Sequence, residues 1–259
     1  MATLDLDGLM IEDQGESTDA VLCIHGLGGS SNIWTPVLPA FETRRVIRLD
    51  LPGSARSPLP SEPLSIAVYV SAALKVLDRL RITTLHVVAH SMGTIVAQHL
   101  AVEHAAHVKT LALFGPLTAP SDAARTATRA RATLARQGMS GLQQIADAVS
   151  QAATSAETKE LRPVTLALIR ESVMRQTPEG YSRSCEALAA AQPAAAERIT
   201  VPTLLVTGNE DGVAPPAAVN TLAASIPGSQ SIVLSECGHW ATYEKPFECR
   251  TALERFYKN

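Results

Sequence analysis

Short apolar runs alternate along the chain with longer segments whose apolar residues recur at helical spacing. Runs of the first kind, bounded by turn residues, are typical of buried strands, and the second kind predicts amphipathic helices. The predicted strands cover residues 4–11 (an edge strand), 20–24, 46–50, 85–89, 108–114, 201–208 and 231–234. Helices are predicted at 65–80, directly after Ser91, after Pro215 and at 246–257. This alternation predicts an α/β fold with a mostly parallel central sheet flanked by helices.

The alternation is interrupted once, between residues 118 and 197. This stretch contains no strand-like run, and its alanine-rich helical patterns end at a few breaks. The breaks fall at Gly138, near Thr154, at Pro178 and at Pro193. Because strands resume directly afterwards, we interpret 118–197 as an inserted helical cap of about four helices, over a core of residues 1–117 and 198–259. The alternative is that these helices extend the main helical layer.

Composition narrows the class of protein. The 259 residues are 46% hydrophobic and 18% charged, with a net charge of −3, which does not favour a nucleic-acid or anionic-membrane partner. The first residues lack the basic and apolar regions of a signal peptide, and no apolar run is long enough to span a membrane. The cysteines are scattered without metal-ligand spacing, at positions 23, 185, 237 and 249. We therefore expect reduced thiols, a cytoplasmic protein and no bound metal.

The segment around Ser91 predicts a strand, a sharp turn and a helix. The apolar run ends at Ala89, the helical pattern begins just after Ser91, and Gly93 follows two residues later. Small residues on both sides permit a strained turn that lifts the serine hydroxyl clear of the sheet. The helix N-terminus then favours a developing negative charge beside Ser91. A serine that only caps the helix is the alternative for this stretch alone.

A glycine-rich loop, residues 25–30, follows the predicted strand 20–24. Since carboxyl ends of parallel strands share one edge of a sheet, we expect this loop and Ser91 to lie at the same edge. Glycines allow a backbone N–H to approach a substrate oxygen closely. A phosphate-binding loop is disfavoured because no Gly-Lys-Ser/Thr follows. We expect His25 to orient the loop.

Asp211 and His239 also follow predicted strands, 201–208 and 231–234 respectively. A serine hydroxyl is a weak nucleophile unless a base lies within hydrogen-bonding distance, and an acid must orient that base. The serine, aspartate and histidine at this edge could supply these three groups. Glu210 is the neighbouring alternative for the acid, and His90 is expected to point off the turn without an orienting acid.

Together these segments resemble the α/β-hydrolase family. The elbow resembles G-x-S-x-G with Ala89 at the first glycine, the glycine loop resembles H-G-x-x-G, and the chain order of serine, aspartate and histidine is that of the family. Asp211 stands in G-x-x-D-x-x-x-P, and His239 stands in G-H-x-x-x-x-E-x-P. The sequence departs from the family pattern at Ser54 and Ala55, in a loop that does no chemistry.

The resemblance implies the α/β-hydrolase fold and a set of site residues. Ser91 would be the nucleophile, His239 the base and Asp211 the acid, while the N–H groups of Leu27 and Met92 would form the oxyanion hole. Length, lid position and loop sequences look closest to small bacterial carboxylesterases and lactonases such as 3-oxoadipate enol-lactonase.

The expected activity is hydrolysis of an ester or lactone of a small, mostly apolar acyl compound, without metal or organic cofactor. A carbon–carbon hydrolase of ring-fission products and a non-catalytic ligand-binding protein of this fold are the alternatives. We expect a small-molecule substrate and neither nucleic acid nor membrane as partner; the sequence does not indicate the oligomeric state.

The expected substrate pocket lies between cap and core. Four residues are its candidate wall: Trp34, Met139, Tyr181 and Trp240. Arg125 and Arg129 share one face of a cap helix, and we interpret that face as solvated; the alternative is that an arginine binds an anionic substrate.

Overall fold

Eight strands form one sheet in the computed structural model, which describes residues 1–258. The strands are β1 (Ala2–Leu6), β2 (Leu9–Gln14), β3 (Ala20–Ile24), β4 (Arg45–Leu49), β5 (Leu85–His90), β6 (Val108–Phe114), β7 (Thr203–Gly208) and β8 (Gln230–Leu234). Their spatial order is β1-β2-β4-β3-β5-β6-β7-β8. Only β2 pairs antiparallel, with β1 and β4, and all other pairs among residues 1–258 are parallel. The predicted fold class is confirmed.

Ten α-helices accompany the sheet in the described chain. They are α1 (Ile66–Leu80), α2 (Met92–Glu103), α3 (Asp122–Ala135), α4 (Met139–Ala152), α5 (Ala156–Leu161), α6 (Pro163–Met174), α7 (Pro178–Ala190), α8 (Pro216–Ser225), α9 (Ala241–Glu244) and α10 (Pro246–Lys258). Three 3₁₀ helices cover Ser31–Phe41, Ala105–His107 and Ala196–Arg198. Within residues 1–258, none of the helices combines the length and apolarity needed to cross a bilayer.

The sheet is covered on both faces. One apolar cluster joins the sheet to α1, α2 and α8, and a second joins it to the 3₁₀ helix Ser31–Phe41 and to α10. Every residue of β3 and β5 is buried, as expected for central parallel strands with helices on both sides. The carboxyl ends of β3, β5, β6, β7 and β8 meet at one edge, where the candidate loops emerge.

The prediction of one edge strand over residues 4–11 was wrong. The chain instead makes a hairpin, in which Asp7 (φ 51°) and Gly8 (φ 85°) form the two-residue turn between β1 and β2. Positive φ at both central positions is the requirement of a type I′ turn, and Asp-Gly is a preferred sequence for it. The turn preference of Asp7-Gly8 therefore decides the local structure, although apolar and polar residues alternate through residues 4–11 as they would in a single strand.

Five helices, α3 to α7, occupy the interrupted stretch, one more than expected. The additional boundary is at Pro163, which stands at the first turn of α6, where its missing N–H costs no hydrogen bond. The segment contacts loops at the carboxyl edge of the sheet: Ser172 Oγ donates to the carbonyl of Gly28 at 2.8 Å, and Gln176 Nε2 donates to that of Gly29 at 3.0 Å. Its definition as a separate cap stays a prediction.

Candidate active site

Ser91 lies in a strained turn between β5 and α2. Its backbone has φ 52° and ψ −123°, a region that residues with a Cβ rarely adopt and that costs about 1–3 kcal/mol. Two glycines beside Ser91 are needed because neighbouring segments of the chain approach each other closely there. A Cβ on Gly93 would lie 2.5 Å from the carbonyl oxygen of His25, and one on Gly26 would lie 2.6 Å from Ser91 Cβ. The turn holds the hydroxyl at the edge where the other loops converge.

A chain of hydrogen bonds joins the three candidate side chains. Ser91 Oγ lies 2.8 Å from His239 Nε2, and His239 Nδ1 lies 2.8 Å from Asp211 Oδ2. An ionised carboxylate only accepts hydrogen bonds, so Nδ1 carries the proton and Nε2 is left to accept from the serine hydroxyl. In this tautomer the serine hydroxyl donates to Nε2, the arrangement needed for the imidazole to remove its proton.

Asp211 is held ionised. Its Oδ1 accepts from the amides of Val213 at 2.8 Å and Ala214 at 2.7 Å. Burial raises the pKa of Asp211, but the charge and hydrogen bond of His239, together with these amides, outweigh burial and hold the pKa below its ordinary value. The alternative acid, Glu210, accepts instead from the amide of Ala156 and is exposed. The geometry therefore favours Asp211 as the partner of His239.

The glycine loop brings the amide of Leu27 to the same edge. Within residues 1–258, the N–H groups of Leu27 and Met92 donate to no protein acceptor, so both are available to an oxygen outside the chain. His25 supports the loop: its Nδ1 donates to the Gly26 carbonyl at 2.7 Å, and its Nε2 accepts from the Leu51 amide at 2.9 Å. Burial lowers the pKa of His25. These contacts agree with the predicted structural role of His25.

The four pocket candidates are not all brought together. Tyr181 packs against the glycine loop, with its Cε2 3.1 Å from the position of a Cβ on Gly28, and Trp240 lies with its ring centroid 5.5 Å from that of His90. Trp34 is buried in the core against Phe114, and Met139 is 52% exposed at the start of α4. Their role as pocket wall stays a prediction.

His90 has a role that the sequence interpretation missed. The expectation that it points off the turn is corrected: its Nε2 donates to the backbone carbonyl of His239 at 2.9 Å, and the ring centroids are 4.9 Å apart. The two residues are 149 positions apart, so no local pattern shows this contact. Burial and the neighbouring His239 lower the pKa of His90 to about 3. His90 is therefore neutral at ordinary pH.

This burial predicts a pH-dependent stability. Folded His90 stays neutral while the unfolded residue, with a pKa near 6.5, binds a proton, so stability is lost as pH falls below about 6.5. Between pH 7 and 5, we expect the free energy of unfolding of His90→Gln to fall by about 2 kcal/mol less than that of the wild type. Denaturant unfolding at both pH values measures this difference, and His104→Gln, at the half-exposed end of α2, is the control. An identical pH dependence in His90→Gln and wild type would contradict it.

The close contact at Gly26 predicts a large effect from one methyl group. Gly26→Ala would force apart Ser91 and the loop that carries Leu27, because no Cβ fits at 2.6 Å. We expect kcat for ester hydrolysis to fall about 100-fold, the usual result of misplacing reacting groups by about 1 Å. Gly212→Ala is the matched control, since a Cβ there meets nothing within 4 Å. Equal activities in the two variants would show that the site tolerates the displacement.

Comparisons with known proteins agree with the fold described above. The family model for the alpha/beta hydrolase fold matches residues 19–246. The chain is 32% identical over 262 residues to the 2-hydroxymuconate semialdehyde hydrolase of Pseudomonas putida, a match that covers 95% of this chain and 89% of that protein. The enol-lactonase of Burkholderia xenovorans LB400 superimposes with a TM-score of 0.90 at 28% identity and 100% coverage of both chains. A thermophilic esterase from Thermogutta terrifontis shares the fold, with a TM-score of 0.90, 24% identity and coverage of 96% and 93%. Because the family model spans most of the sequence and the 32% identical relative covers nearly all of it, the protein belongs to the alpha/beta hydrolase fold family.

Proposed function

We propose that this hydrolase cleaves an ester or lactone of a small, mostly apolar acyl compound, with Ser91 as nucleophile, His239 as base and Asp211 as the acid that orients it. The observation that carries the proposal is the bonded chain from Ser91 Oγ through the imidazole to the Asp211 carboxylate, with both distances at 2.8 Å. This arrangement activates a serine for attack on a carbonyl carbon.

The reaction proceeds in two acyl transfers. His239 Nε2 takes the hydroxyl proton as Ser91 Oγ attacks the carbonyl, and the resulting oxyanion accepts hydrogen bonds from the N–H groups of Leu27 and Met92. The imidazolium, stabilised by Asp211, then protonates the leaving oxygen. A water molecule, deprotonated by the same imidazole, attacks the acyl-enzyme and releases the acid with Ser91 restored.

We include the helical segment 118–197 in the proposal as the cap that covers the substrate. Its contacts with the glycine loop, through Ser172, Gln176 and Tyr181, support this role, because that loop lies at the same edge of the sheet as Ser91. The Arg125 guanidinium is bonded to the carbonyls of Ala189 and Ala191 at the end of α7, so it is neither free in solvent nor available to a substrate. This contact argues against Arg125 as the group that would bind an anionic substrate.

The location we propose is the cytoplasm. All four cysteines are buried and carry free thiols, which is usual in a reducing compartment.

Turnover of a simple aryl acetate tests the proposed activity. The wild-type protein should release the phenol and form an acyl-enzyme that mass spectrometry locates on the peptide that contains Ser91. A neutral lactone should be opened by the same protein. A wild type that binds these compounds without releasing product would favour a ligand-binding protein and contradict the proposal.

Carbon–carbon bond hydrolysis is the second candidate, and it rests on the 32% identity to a 2-hydroxymuconate semialdehyde hydrolase. The same serine, histidine and aspartate could serve that reaction. Comparison of kcat/KM for a neutral lactone and for a ring-fission diketone distinguishes the two candidates. A higher value for the diketone would make carbon–carbon hydrolysis the main activity.

A further inference from the structure

A buried carboxylate joins the loop that carries His239 to the helical segment. Glu244, the last residue of α9, is fully buried. Its carboxylate accepts four hydrogen bonds. The donors are the Ser155 amide at 2.8 Å, the Thr158 hydroxyl at 2.9 Å, the Gly238 amide at 3.1 Å and the Trp240 amide at 3.1 Å. Two donors belong to the base loop, residues 237–240, and two belong to the helical segment.

The four donors, and no cation, stabilise the charge of Glu244. Within residues 1–258, its carboxylate forms no ion pair. The neighbouring Lys245 ammonium pairs with the carboxylate of Glu157, and the Arg162 guanidinium donates to the backbone carbonyl of Glu244. A buried carboxylate is costly unless its lone pairs are bonded, so removal of a donor leaves that charge underbonded. The carboxylate therefore holds its donors in place more firmly than a neutral acceptor would.

Three consecutive amides of the base loop are fixed by hydrogen bonds, two of them to Glu244 and one to the helical segment. Gly238 and Trp240, on either side of the base, donate to Glu244, and the amide of His239 itself donates to the carbonyl of Ala153 at 2.9 Å. The two backbones are in direct contact, since a Cβ on Gly238 would lie 2.7 Å from the Cα of Thr154. The backbone of the base loop is therefore held by Glu244 and by Ala153 of the helical segment, in addition to the bond from His90 to the His239 carbonyl.

We propose that Glu244 is a positioning residue for His239, and that it makes the start of α5 a working part of the active site. This inference rests on the proposed function. It implies that the segment 118–197 is more than a removable cover: without Ser155 and Thr158 the Glu244 charge loses two of its donors, and without Ala153 the His239 amide loses its acceptor. The carboxylate transmits the position of α5 to the base.

Glu244→Gln tests the proposal with little change of shape. One carboxylate oxygen becomes an NH₂ group that faces N–H donors, so at least one amide of the base loop loses its acceptor. We expect kcat for an aryl acetate to fall about tenfold to hundredfold while KM stays within twofold, because Glu244 does not touch substrate. Glu248→Gln, exposed on α10, is the matched control and should leave both constants unchanged.

A pair of variants at Thr158 separates positioning from packing. Thr158→Val keeps the shape and removes the hydroxyl that bonds Glu244, whereas Thr158→Ser keeps the hydroxyl and removes a methyl group. If Glu244 acts through its hydrogen bonds, Val lowers kcat several-fold and Ser does not. A role in packing alone gives the reverse order and overturns the proposal. This pair also serves if Glu244→Gln does not fold.

Proton NMR gives a readout that is independent of turnover. The Nδ1 proton of His239, bonded to Asp211, should give a far-downfield resonance that His239→Ala removes. Loss or shift of this resonance in Glu244→Gln, with the resonance of Glu248→Gln unchanged, supports the positioning role. This readout does not need turnover. If the wild type hydrolyses none of the substrates, the proposed function is wrong, but the positioning role is still tested. A folded Glu244→Gln with wild-type kcat and an unchanged resonance would overturn the inference.

Discussion

Replacement of Ser91 by alanine is expected to lower kcat for aryl acetate hydrolysis by about 10⁴–10⁶-fold, since the serine, histidine and acid of such a site act as one unit. The alanine variant keeps the backbone turn but has no oxygen 2.8 Å from His239 Nε2. Attack by water would then be the only route, assisted by the N–H groups of Leu27 and Met92. The free energy of unfolding should change little, because the lost hydroxyl bonds to the His239 imidazole and takes no part in the hydrogen bonds of the sheet.

Steady-state kinetics with a matched serine variant checks this expectation. Ser71→Ala removes a hydroxyl on the exposed face of α1, where it bonds only to the carbonyl of Ala67, and should leave kcat unchanged. A fluorophosphonate should label the wild type and Ser71→Ala at Ser91 and fail to label Ser91→Ala. A Ser91→Ala variant with near-normal kcat would exclude the proposed nucleophile.

Most of the fold could be predicted from the pattern of apolar runs and turn residues in the sequence. A central parallel strand is buried on both faces, so β3 appears in the sequence as an uninterrupted apolar run, and β5 is apolar except at His86 and His90. The loops that follow these strands are predicted at one edge from the strand pattern alone. The failures came from local chemistry of one or two residues. Asp7-Gly8 turns the chain back within an apparently continuous strand, and Pro163 begins a helix inside an apparently continuous helical pattern.

The hydrogen bonds that hold the loop of His239 in place could not be predicted from the sequence. Glu244 is part of a motif visible in the chain, but its bond to the Ser155 amide joins residues 89 positions apart. His90 and the His239 carbonyl are 149 positions apart. Spacing along a chain predicts which loops meet at a sheet edge, because strand order decides that. It does not predict which backbone carbonyl or amide each buried side chain will bind, since this depends on how the helical segment packs.

Replacement of Asp211 by asparagine is expected to lower kcat by about 10⁴-fold with the fold intact. Asparagine can keep its carbonyl oxygen on the amides of Val213 and Ala214, which Asp211 Oδ1 now accepts at 2.8 and 2.7 Å. Its NH₂ group then faces His239 Nδ1 and donates to it. The imidazole must carry its proton on Nε2, so it donates toward Ser91 and cannot accept the serine proton. The loss therefore comes from the wrong tautomer, with the three side chains still in place.

Glu210→Gln is the matched control for this change, because it makes the same carboxylate-to-amide exchange one residue away. Glu210 is exposed, and a glutamine at this position can keep its amide oxygen on the Ala156 N–H that the carboxylate now accepts at 2.8 Å. The contact with α5 is then kept, so kcat should stay within about twofold of the wild type. The pH dependence of the residual Asp211→Asn activity adds a second measurement: a strong base such as hydroxide should replace the missing base, and activity should rise steeply at high pH. A benign Asp211→Asn beside a damaging Glu210→Gln would assign the orienting acid to the other carboxylate, against the bond at 2.8 Å between Asp211 Oδ2 and His239 Nδ1.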